Sequence, residues 1–583
     1  MSVEEKLSYY LTKNKTLEND FEKSIRISIL SSFTLNGIEE TFKVKCAEKK
    51  IKCITYLGSY NQYNQEILNT ESKLYQFNPD VTFLILDTRS LLGDLWYFPY
   101  SIDVKQRKDF IEKKFEEIKN LIKIFTKKSK SKLVISNFNI PTKSNYGIFE
   151  TKSDFGLQKM ISKLNENLQD FIADLDSTYL FDLNGFVTRY GENNIFDSKQ
   201  FLFGDIKIAL DFIPHLVHDL MGYVIATLGL SKRCIVLDLD NTLWGGVVGE
   251  DGFDGIKLGS TPSGNAFVEF QKHLLGLHSR GILIAINSKN NLDDALEVIE
   301  KHPNMILKKK HFACMRINWN DKVSNMKEIS ADLNFGLENF VFIDDDPINR
   351  EFMKSRLPQV LTVELPKDPS KYAKVLEEMN DFNVLKITDE DTKRGLMYSQ
   401  QKERKELEKS SSNLQDFLKN MELKVIIKKA DSFTIPRISQ LILKTNQFNL
   451  TTKRYQLEDI QRFSQDDNMI IGCAQVEDKF GDNGITGVFI VQKNSTKEWV
   501  LDTFLLSCRV MGREVEKSLL GYIVKKAKEH GIEKIKAKFI PTQKNKPVED
   551  FLPQCGFKKD NDDWTISLNE TFHIPDFIKI EEE

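Results

Sequence analysis

The feature that most constrains this chain is a repeated alternation of short apolar runs with longer, charged and amphipathic stretches. Residues 25–30, 80–86 and 132–136 predict buried strands, because these runs are short, apolar and bounded by polar residues. The Lys- and Glu-rich residues 106–129 predict a helix between two of them. Strands that alternate with helices pair in parallel and carry the helices on the faces of their sheet. The pattern therefore predicts the α/β fold class.

The alternation falls into three blocks, which predict three doubly wound or mixed α/β domains. The expected divisions are residues 1–228, residues 229–386, a connector at residues 387–422, and residues 423–583. We expect the polar, charged connector to form a helix, a short break and a second helix. Strands are expected in the second block at residues 233–239, 283–286, 312–317, 340–343 and 360–365.

Composition excludes several classes of protein. The 82 basic and 85 acidic residues give a formal charge of −3, which argues against a dedicated nucleic-acid binder. No apolar run approaches the ~20 residues that span a bilayer, and the acidic N-terminus does not resemble a secretory signal. The seven cysteines are scattered and form no CxxC pair, which is typical of reduced thiols. We expect a cytoplasmic protein that binds neither nucleic acid nor membrane.

Two carboxylates mark the end of one apolar run. Residues 233–239 predict a buried strand, which delivers Asp238 and Asp240 at its C-terminal end. In a doubly wound sheet, ligands bind beyond the carboxyl ends of the strands. Two carboxylates there are costly unless a cation lies between them, and Mg²⁺ prefers such hard oxygen ligands. The sequence therefore predicts a cation at this strand end, with a strand end merely capped by Asp and Thr as the alternative.

Three further polar features follow later apolar runs. Ser288 follows one run, and Lys322 opens a predicted helix after another. Asp344 and Asp345 follow a third run. Together with the first acidic pair, and in this order, these features resemble the haloacid dehalogenase (HAD) superfamily of phosphohydrolases. The resemblance implies a Rossmann-like domain that acts on a phosphorylated small molecule.

The HAD resemblance implies a role for each of these residues. Asp238 would attack phosphorus and form an aspartyl-phosphate, while Asp240 would protonate the leaving group and then activate water. Ser288 would donate a hydrogen bond to a phosphoryl oxygen, and Lys322 would neutralise charge on the transferring group. The Mg²⁺ ligands would be Asp238, the backbone carbonyl of Asp240, Asp344 and Asp345.

The segment after the first acidic pair is rich in glycine. Residues 244–252 contain four glycines, which predict a hairpin or flap with tight turns rather than a large cap domain. A small flap leaves the site open. An open site suits a large substrate, or a small substrate carried on a protein.

Several longer motifs are similar to the FkbH family, which falls within HAD subfamily IIIC. These motifs are residues 238–256, 288–290, 341–347, 478–484, 507–513 and 545–557. The resemblance covers residues 230–570 well and the first block more weakly. It implies an enzyme that dephosphorylates D-1,3-bisphosphoglycerate and loads the glyceryl unit onto an acyl carrier protein, through a cysteine thioester, for polyketide biosynthesis.

The last block resembles acyltransferases of the GNAT type. A strand at residues 499–505 and a helix at residues 512–530 flank a loop that contains Arg509, Gly512 and Arg513. The resemblance implies that these three residues bind the phosphate group of a cofactor at the start of the helix. Glu514 stands where the family has a small residue, and its charge would repel a pyrophosphate. We therefore expect a phosphopantetheine arm on a partner protein rather than free coenzyme A.

Cys508 is the candidate for the acyl-carrying thiol. It precedes Arg509 and the predicted helix, and both a cation and a helix N-terminus favour thiolate. A buried, inert cysteine is the alternative, and it is the usual fate of a lone cysteine.

The first block resembles an SGNH hydrolase in outline. The expected serine and asparagine positions after strands are filled by Ser31, Ser32, Asn137 and Asn139. The spacing from Asp211 to His215 is one residue too long, and a Gly-Asp-Ser sequence is missing. We therefore expect a docking or structural domain rather than a working esterase.

Three functions are consistent with these observations. The first is a Mg²⁺-dependent phosphatase coupled to acyl transfer. The second is a phosphatase that acts alone on another phosphorylated metabolite, with the GNAT-like block as a passenger or docking module. The third, a non-catalytic scaffold, is disfavoured by the presence of Asp238, Asp240, Lys322 and Asp345.

Overall fold

The protein is described by a computed structural model that covers residues 6–17, 20–388, 414–560, 563–569 and 572–583. The chain divides into two compact units. The first unit is Met1–Leu228 with Asn383–Leu385, and the second is Gly229–Phe382 with Lys386–Glu583. Together they contain three β-sheets, each accompanied by helices, which confirms the predicted α/β class.

The first unit contains a five-stranded sheet in the order β2-β1-β3-β4-β5. Its strands are β1 (Lys23–Ser31), β2 (Ile51–Leu57), β3 (Val81–Ile85), β4 (Lys132–Ser136) and β5 (Thr178–Phe181). Every pairing is parallel. The helices are α1 (Leu7–Lys13), α2 (Ile38–Ala47), α3 (Tyr63–Leu68), α4 (Lys73–Phe77), α5 (Thr88–Leu92), α6 (Val104–Lys128), α7 (Leu157–Ala173), α8 (Leu183–Tyr190), α9 (Glu192–Ile195), α10 (Ser198–Gly204) and α11 (Ile213–Thr227).

Helix α6 shows how the sequence sets these elements. Asp103 accepts a hydrogen bond from the backbone N–H of Gln106, whose side chain in turn bonds to the backbone of Asp103. This capping box starts the helix. Apolar residues at spacings of three and four are buried along one face: Ile111, Phe115, Ile118, Ile122 and Phe125. The capped, one-sided helix therefore packs that face onto the sheet core.

The second unit begins with a parallel sheet in the order β10-β9-β6-β7-β8. Its strands are β6 (Cys234–Leu237), β7 (Leu283–Ser288), β8 (Phe312–Ile317), β9 (Phe340–Asp344) and β10 (Leu361–Glu364). Each end of these strands lies within two residues of the predicted run, and β8 matches its run at both ends. The helices are α12 (Val248–Gly255), α13 (Pro262–Ser279), α14 (Leu292–Lys301), α15 (Lys322–Leu333), α16 (Pro347–Arg356) and α17 (Tyr372–Glu378).

Strand β6 occupies the centre of this sheet. It pairs in parallel with β7 on one side and with β9 on the other. The chain leaves β6 towards β7 and reaches β9 only later, so the direction of winding reverses between β6 and β9. Such a reversal opens a crevice at the carboxyl ends of the two strands. Residues that follow β6 and end β9 therefore meet in a place suited to ligand binding.

The glycine-rich segment after β6, where we expected a hairpin or flap rather than a large cap domain, contains a short helix. Gly245 pairs with Lys257 at its base, and α12 lies between them. Gly246 adopts φ +93°, and a Cβ there would lie 2.4 Å from a carboxylate oxygen of Asp251. That oxygen accepts a hydrogen bond from the N–H of Val247, which starts the helical turn. Local capping by Asp251 thus folds the segment as a helix.

The C-terminal sheet is mixed, in the order β17-β18-β16-β15-β14-β13-β11-β19, with β12 on β15. Its strands are β11 (Lys424–Lys429), β12 (Phe448–Asn449), β13 (Met469–Asp478), β14 (Gly481–Lys493), β15 (Glu498–Leu506), β16 (Lys534–Ala537), β17 (Lys558–Asp560), β18 (Asp563–Ser567) and β19 (Lys579–Glu582). The helices are α18 (Leu414–Asn420), α19 (Ile435–Lys444), α20 (Leu457–Ser464), α21 (Val515–Glu529) and α22 (Phe551–Gln554).

The acidic C-terminal residues form an edge strand, although their charge alone would suggest a solvated tail. β19 pairs in parallel with β11. Lys424 contacts Glu581 at 2.8 Å, and Lys526 contacts Glu582 at 2.8 Å. Lysines on neighbouring elements thus offset the charge of the tail.

The predicted connector helices lie largely outside the described residues. At the described end of the connector, α18 packs Phe417 and Leu418 into the core of the C-terminal sheet. None of the helices in the described part of the chain is long and apolar enough to cross a lipid bilayer.

Candidate active site

The crevice between β6 and β9 holds a buried lysine between two carboxylates. Nζ of Lys322 lies 2.9 Å from Oδ2 of Asp238 and 2.7 Å from Oδ2 of Asp344. The backbone N–H of Asp238 donates to the carbonyl of Ile343, which aligns the ends of the two strands. Lys322 is 4% exposed and Asp344 is 0% exposed. The structure therefore brings these sequence-predicted residues into direct contact.

The position of Lys322 has an electrostatic explanation. It is the first residue of α15, where a cation opposes the helix dipole. Burial alone would lower the pKa of Lys322, but the charges of Asp238 and Asp344 raise it above its ordinary value. Lys322 therefore keeps its positive charge, and the two carboxylates offset the unfavourable position of that charge at the N-terminus of the helix.

Asp238, Asp344 and Asp345 form a cluster that we call the acidic cluster. One carboxylate oxygen from each lies within 4.8 Å of the others. Burial raises the pKa of Asp345 to about 6, and the charges of Asp238 and Asp344 add to the effect. Burial also raises the pKa of Asp344, with Asp238 adding to the effect and Lys322 opposing it. The single lysine therefore leaves excess negative charge in the cluster.

The acidic cluster fits a hard divalent cation. Oδ1 of Asp238 is buried and has no hydrogen-bond partner in the structure. A buried carboxylate oxygen without a partner is costly, and a cation bound by the three carboxylates would remove that cost. Asp238, Asp344 and Asp345 are thus the side chains that could hold Mg²⁺.

The side chain of Asp240 is held apart from this cluster. Its Oδ1 accepts from Nε1 of Trp244 at 2.8 Å and from the N–H of Val248 at 3.1 Å. Its Oδ2 accepts from Nδ2 of Asn290 at 2.8 Å. Burial raises the pKa of Asp240 above its ordinary value, although these hydrogen bonds lower it. The carboxyl group is therefore fixed in orientation and inclined to hold a proton, as an acid and base catalyst requires.

Trp244 and Asn290 were not assigned a role from the sequence. Both lie in motifs given above, but the contact between Asn290 and Asp240 joins residues 50 positions apart. Ser288, predicted to donate a hydrogen bond to a phosphoryl oxygen, is buried at the end of β7, two residues before Asn290. Asn290 therefore reaches the site through Asp240, and Ser288 lies at the carboxyl end of β7, on the same edge of the sheet.

The loop after β9 is fixed by a buried arginine. Nη1 of Arg350 donates to the carbonyls of Asp344 at 2.8 Å and of Asp345 at 2.6 Å. Asp346 accepts a hydrogen bond from the N–H of Ile348 and so caps the start of α16. Arg350 and this cap therefore fix the backbone that carries Asp344 and Asp345.

Large apolar side chains stand exposed shortly after three strands of this sheet. Leu292 is 47% exposed and follows β7, Trp319 is 75% exposed and follows β8, and Ile348 is 76% exposed and follows β9. Leu292 is the first residue of α14, Trp319 lies between β8 and α15, and Ile348 is in the first turn of α16. Each thus follows the carboxyl end of a strand of the sheet that carries the acidic cluster.

Cys508 has an environment that differs from the expected one. Its Sγ donates to the carbonyl of Asn334 at 3.1 Å, and Nδ2 of Asn334 donates to the carbonyl of Cys508 at 2.9 Å. Burial raises the pKa of Cys508, although Arg509 and Arg233 act in the opposite direction. Helix α21 begins only at Val515, too far to stabilise a thiolate. The expected lowering of the thiol pKa is therefore wrong.

Cys508 also lies far from the acidic cluster. Asn334, its partner, precedes β9, whereas Asp344 ends β9. A strand of this length spans about 16 Å, so the two sites occupy opposite edges of the parallel sheet. Among the predicted phosphate-binding residues, Arg513 is buried 3.6 Å from Oδ2 of Asp478, and Gly512 has φ +77°.

The SGNH-like positions of the first unit are used in hydrogen bonds that hold strand ends together. Oγ of Ser32 accepts from the N–H of Asp87, and Nδ2 of Asn137 donates to Asp182. The ring of His215 packs on that of Tyr190, with centroids 4.9 Å apart. The structural or docking role of the first unit stays a prediction, and these hydrogen bonds agree with it.

Comparison with known proteins gives one family match and several structural matches. Residues 26–225 match the family model described as FkbH, N-terminal domain. The crystal structure of the N-terminal part of protein BF1531 from Bacteroides fragilis, which contains a phosphatase domain complexed with Mg, matches with 28% identity and a TM-score of 0.59. The match covers 66% of this chain and 100% of that one. These findings support an FkbH-like family. The family match falls on the block whose resemblance we expected to be weaker.

Two matches to smaller proteins have low scores. A putative GNAT acetyltransferase from Desulfovibrio desulfuricans is 12% identical, with a TM-score of 0.21, over 25% of this chain and 99% of that one. A GNAT acetyltransferase from Staphylococcus aureus Mu50 is 17% identical, with a TM-score of 0.20. That match covers 25% of this chain and 99% of the other. No curated protein matches the chain significantly.

Proposed function

We propose that this protein is a Mg²⁺-dependent phosphatase of the HAD type, in which Asp238 is the nucleophile. The observation that carries the proposal is the contact of Asp238 with Lys322 inside the acidic cluster, together with a buried oxygen of Asp238 that has no hydrogen-bond partner. Asp238, Asp344 and Asp345 would hold the ion. A bound Mg²⁺ would neutralise these carboxylates and the phosphoryl oxygens.

The reaction divides between two carboxylates. An oxygen of Asp238 forms a bond to phosphorus as the bond from phosphorus to the leaving oxygen breaks, and the carboxyl group of Asp240 gives that oxygen a proton. Water then attacks the aspartyl-phosphate, and Asp240 takes up the proton that the water loses. Lys322 offsets negative charge on the transferring group throughout. Phosphate leaves and Asp238 is restored.

We expect Asp240→Asn to trap the aspartyl-phosphate. The amide can still accept from Trp244 and Val248, but it can neither give nor take a proton. Turnover of p-nitrophenyl phosphate should fall by roughly 10²–10⁴-fold. Because this leaving group needs little protonation, the first step should persist, and intact-protein mass spectrometry should show one added phosphoryl group.

The control for this variant is Asp294→Asn. Asp294 is an exposed carboxylate in the first turn of α14, outside the acidic cluster. It should retain wild-type turnover and show no adduct. Full turnover in Asp240→Asn would remove Asp240 from the acid and base role.

We propose further that the substrate is D-1,3-bisphosphoglycerate. Its 3-phosphate ester would be hydrolysed through Asp238, a thiol would displace the 1-phosphate from the acyl carbon, and the resulting glyceryl thioester would pass to an acyl carrier protein. Similarity to the FkbH family supports this assignment. The exposed apolar residues Leu292, Trp319 and Ile348, which follow strands of the sheet that carries the acidic cluster, also support a substrate or product presented by a protein. We expect incubation with Mg²⁺, 1,3-bisphosphoglycerate and a phosphopantetheinylated carrier to leave a glyceryl-sized, hydroxylamine-labile adduct on the carrier, detected by mass spectrometry.

The second candidate is a phosphatase that acts without acyl transfer. The separation of Cys508 from the acidic cluster and the raised pKa of its thiol favour this candidate. Phosphate release with no adduct on either protein would establish it. If an adduct forms, its loss in Cys508→Ser would place the acyl group on this thiol, and its persistence would place it elsewhere.

A further inference from the structure

Two cysteines of the first unit lie on either side of the connection from α2 to β2. Cys46 is in the last turn of α2, and Cys53 is the third residue of β2. Residues 48–50 join the two elements, and α2 packs against the strand that follows it. The spacing of seven positions is not that of a CxxC motif, so only the fold brings these cysteines together.

The packing of α2 on β2 turns both cysteines towards the same contact surface. At one end of this surface, Oγ1 of Thr55 donates to Oε1 of Glu39 at 2.6 Å. Cys46 follows Glu39 by seven residues, or about two helical turns, and therefore shares its face of α2. Cys53 precedes Thr55 by two residues and therefore shares its face of β2. The two faces that meet at Glu39 and Thr55 thus meet again at the cysteines.

The two thiols are in contact, but they differ in exposure. A hydrogen bond between the side chains of Cys46 and Cys53, together with burial, raises the pKa of Cys46 well above its usual value. Sδ of Met221 on α11 lies 3.8 Å from Sγ of Cys46. Cys46 is 0% exposed, whereas Cys53 is partly exposed. A small molecule can therefore reach Cys53 directly, and Cys46 only through Cys53.

This asymmetry suits a pair of cysteines that act in sequence. An accessible thiol can be oxidised by a small oxidant, and a second thiol beside it can then resolve the product as a disulfide. A disulfide requires the two sulfur atoms to come within bonding distance. Thiols that already share a hydrogen bond need only a small shift to reach it.

We propose that Cys46 and Cys53 form a redox-active dithiol, which hydrogen peroxide converts to a disulfide. Sγ of Cys53 first loses its proton and attacks one oxygen of the peroxide. The O–O bond breaks, the departing hydroxide takes up that proton as water, and Cys53 becomes a sulfenic acid. Sγ of Cys46 then attacks Sγ of Cys53, and the S–O bond breaks. The second hydroxide leaves as water with the proton of the Cys46 thiol, so one peroxide is reduced to two waters.

The test is peptide mapping of the full chain by mass spectrometry after treatment with hydrogen peroxide. Trypsin separates the two cysteines, because lysines occupy positions 45, 49, 50 and 52, and it leaves them in peptides 46–49 and 53–73. Oxidised protein should yield these peptides joined, lighter by two hydrogen atoms than their sum, and separable by dithiothreitol. Absence of the joined peptide would overturn the proposal, whether Cys53 stays reduced or is oxidised further to the sulfinic acid.

Single variants test the order of the two steps. Cys46→Ser removes the resolving thiol, so peroxide should leave a sulfenic acid on Cys53 that dimedone traps. Cys53→Ser removes the accessible thiol, so Cys46 should give no dimedone adduct. Cys314→Ser changes a partly exposed cysteine of the second unit and should leave the joined peptide unchanged. A dimedone adduct on Cys46 in Cys53→Ser, or loss of the joined peptide in Cys314→Ser, would overturn the proposal.

The dithiol is independent of the proposed phosphatase. Both cysteines belong to the first unit, whereas the acidic cluster belongs to the second. The joined peptide should therefore form to the same extent in Asp238→Asn as in the unaltered chain. The mapping needs no phosphatase activity, so failure of one proposal does not imply failure of the other.

Discussion

Asp238→Asn should reduce phosphate release from p-nitrophenyl phosphate on the order of 10⁴-fold or more. An amide cannot form the aspartyl-phosphate, and loss of a nucleophile removes the whole covalent route. The substitution keeps the shape of the side chain, so strands β6 and β9 should remain aligned through the backbone N–H of Asp238. The measurement is steady-state phosphate release in saturating Mg²⁺, with intact-protein mass spectrometry for the phosphoryl adduct.

Asp294→Asn again serves as the matched control, because it makes the same chemical change at an exposed site in the second unit. Thermal melting of both variants separates lost chemistry from lost folding. Release within tenfold of wild type in a folded Asp238→Asn protein would refute the nucleophile assignment. A phosphoryl adduct in that variant would place the nucleophile on another residue.

The central residues of the site were predictable because strand ends are local features of the sequence. The run at residues 234–237 is apolar and buried, and it can only deliver Asp238 to the edge of a sheet. The same holds for Asp344 after the apolar residues of β9. Parallel pairing then brings the two carboxylates together, although more than 100 residues separate them.

Features that depend on tertiary contacts were not predictable in this way. Burial raises the pKa of Cys508, whose thiol contacts Asn334. Arg509, the next residue in the sequence, lowers that pKa but does not outweigh burial. The acidic tail pairs with β11 because distant lysines contact it. Asn290 orients Asp240 across 50 positions of sequence. In each case the decisive partner lies far away along the chain, where periodicity and motif spacing give no information.

Lys322→Met should destabilise the metal-free protein by about 3–5 kcal/mol. The lysine is buried between Asp238 and Asp344, and its removal leaves two buried carboxylates without a cation. Methionine fills a similar volume, so the effect reports charge rather than a cavity. The measurement is chemical unfolding in a chelator, with Lys327→Met, an exposed position on the same helix, as the control.

Two comparisons test this electrostatic origin. Adding Asp344→Asn to Lys322→Met removes one of the two uncompensated charges, so the double variant should be more stable than Lys322→Met alone. Mg²⁺ should stabilise Lys322→Met more than wild type, because the ion then supplies positive charge that the lysine no longer provides. If both single variants, Lys322→Met and Lys327→Met, lose the same small amount of stability, the lysine does not hold the carboxylates together. If Mg²⁺ stabilises neither protein, the acidic cluster is not a metal site, and the nucleophile must act with Lys322 as its only cation.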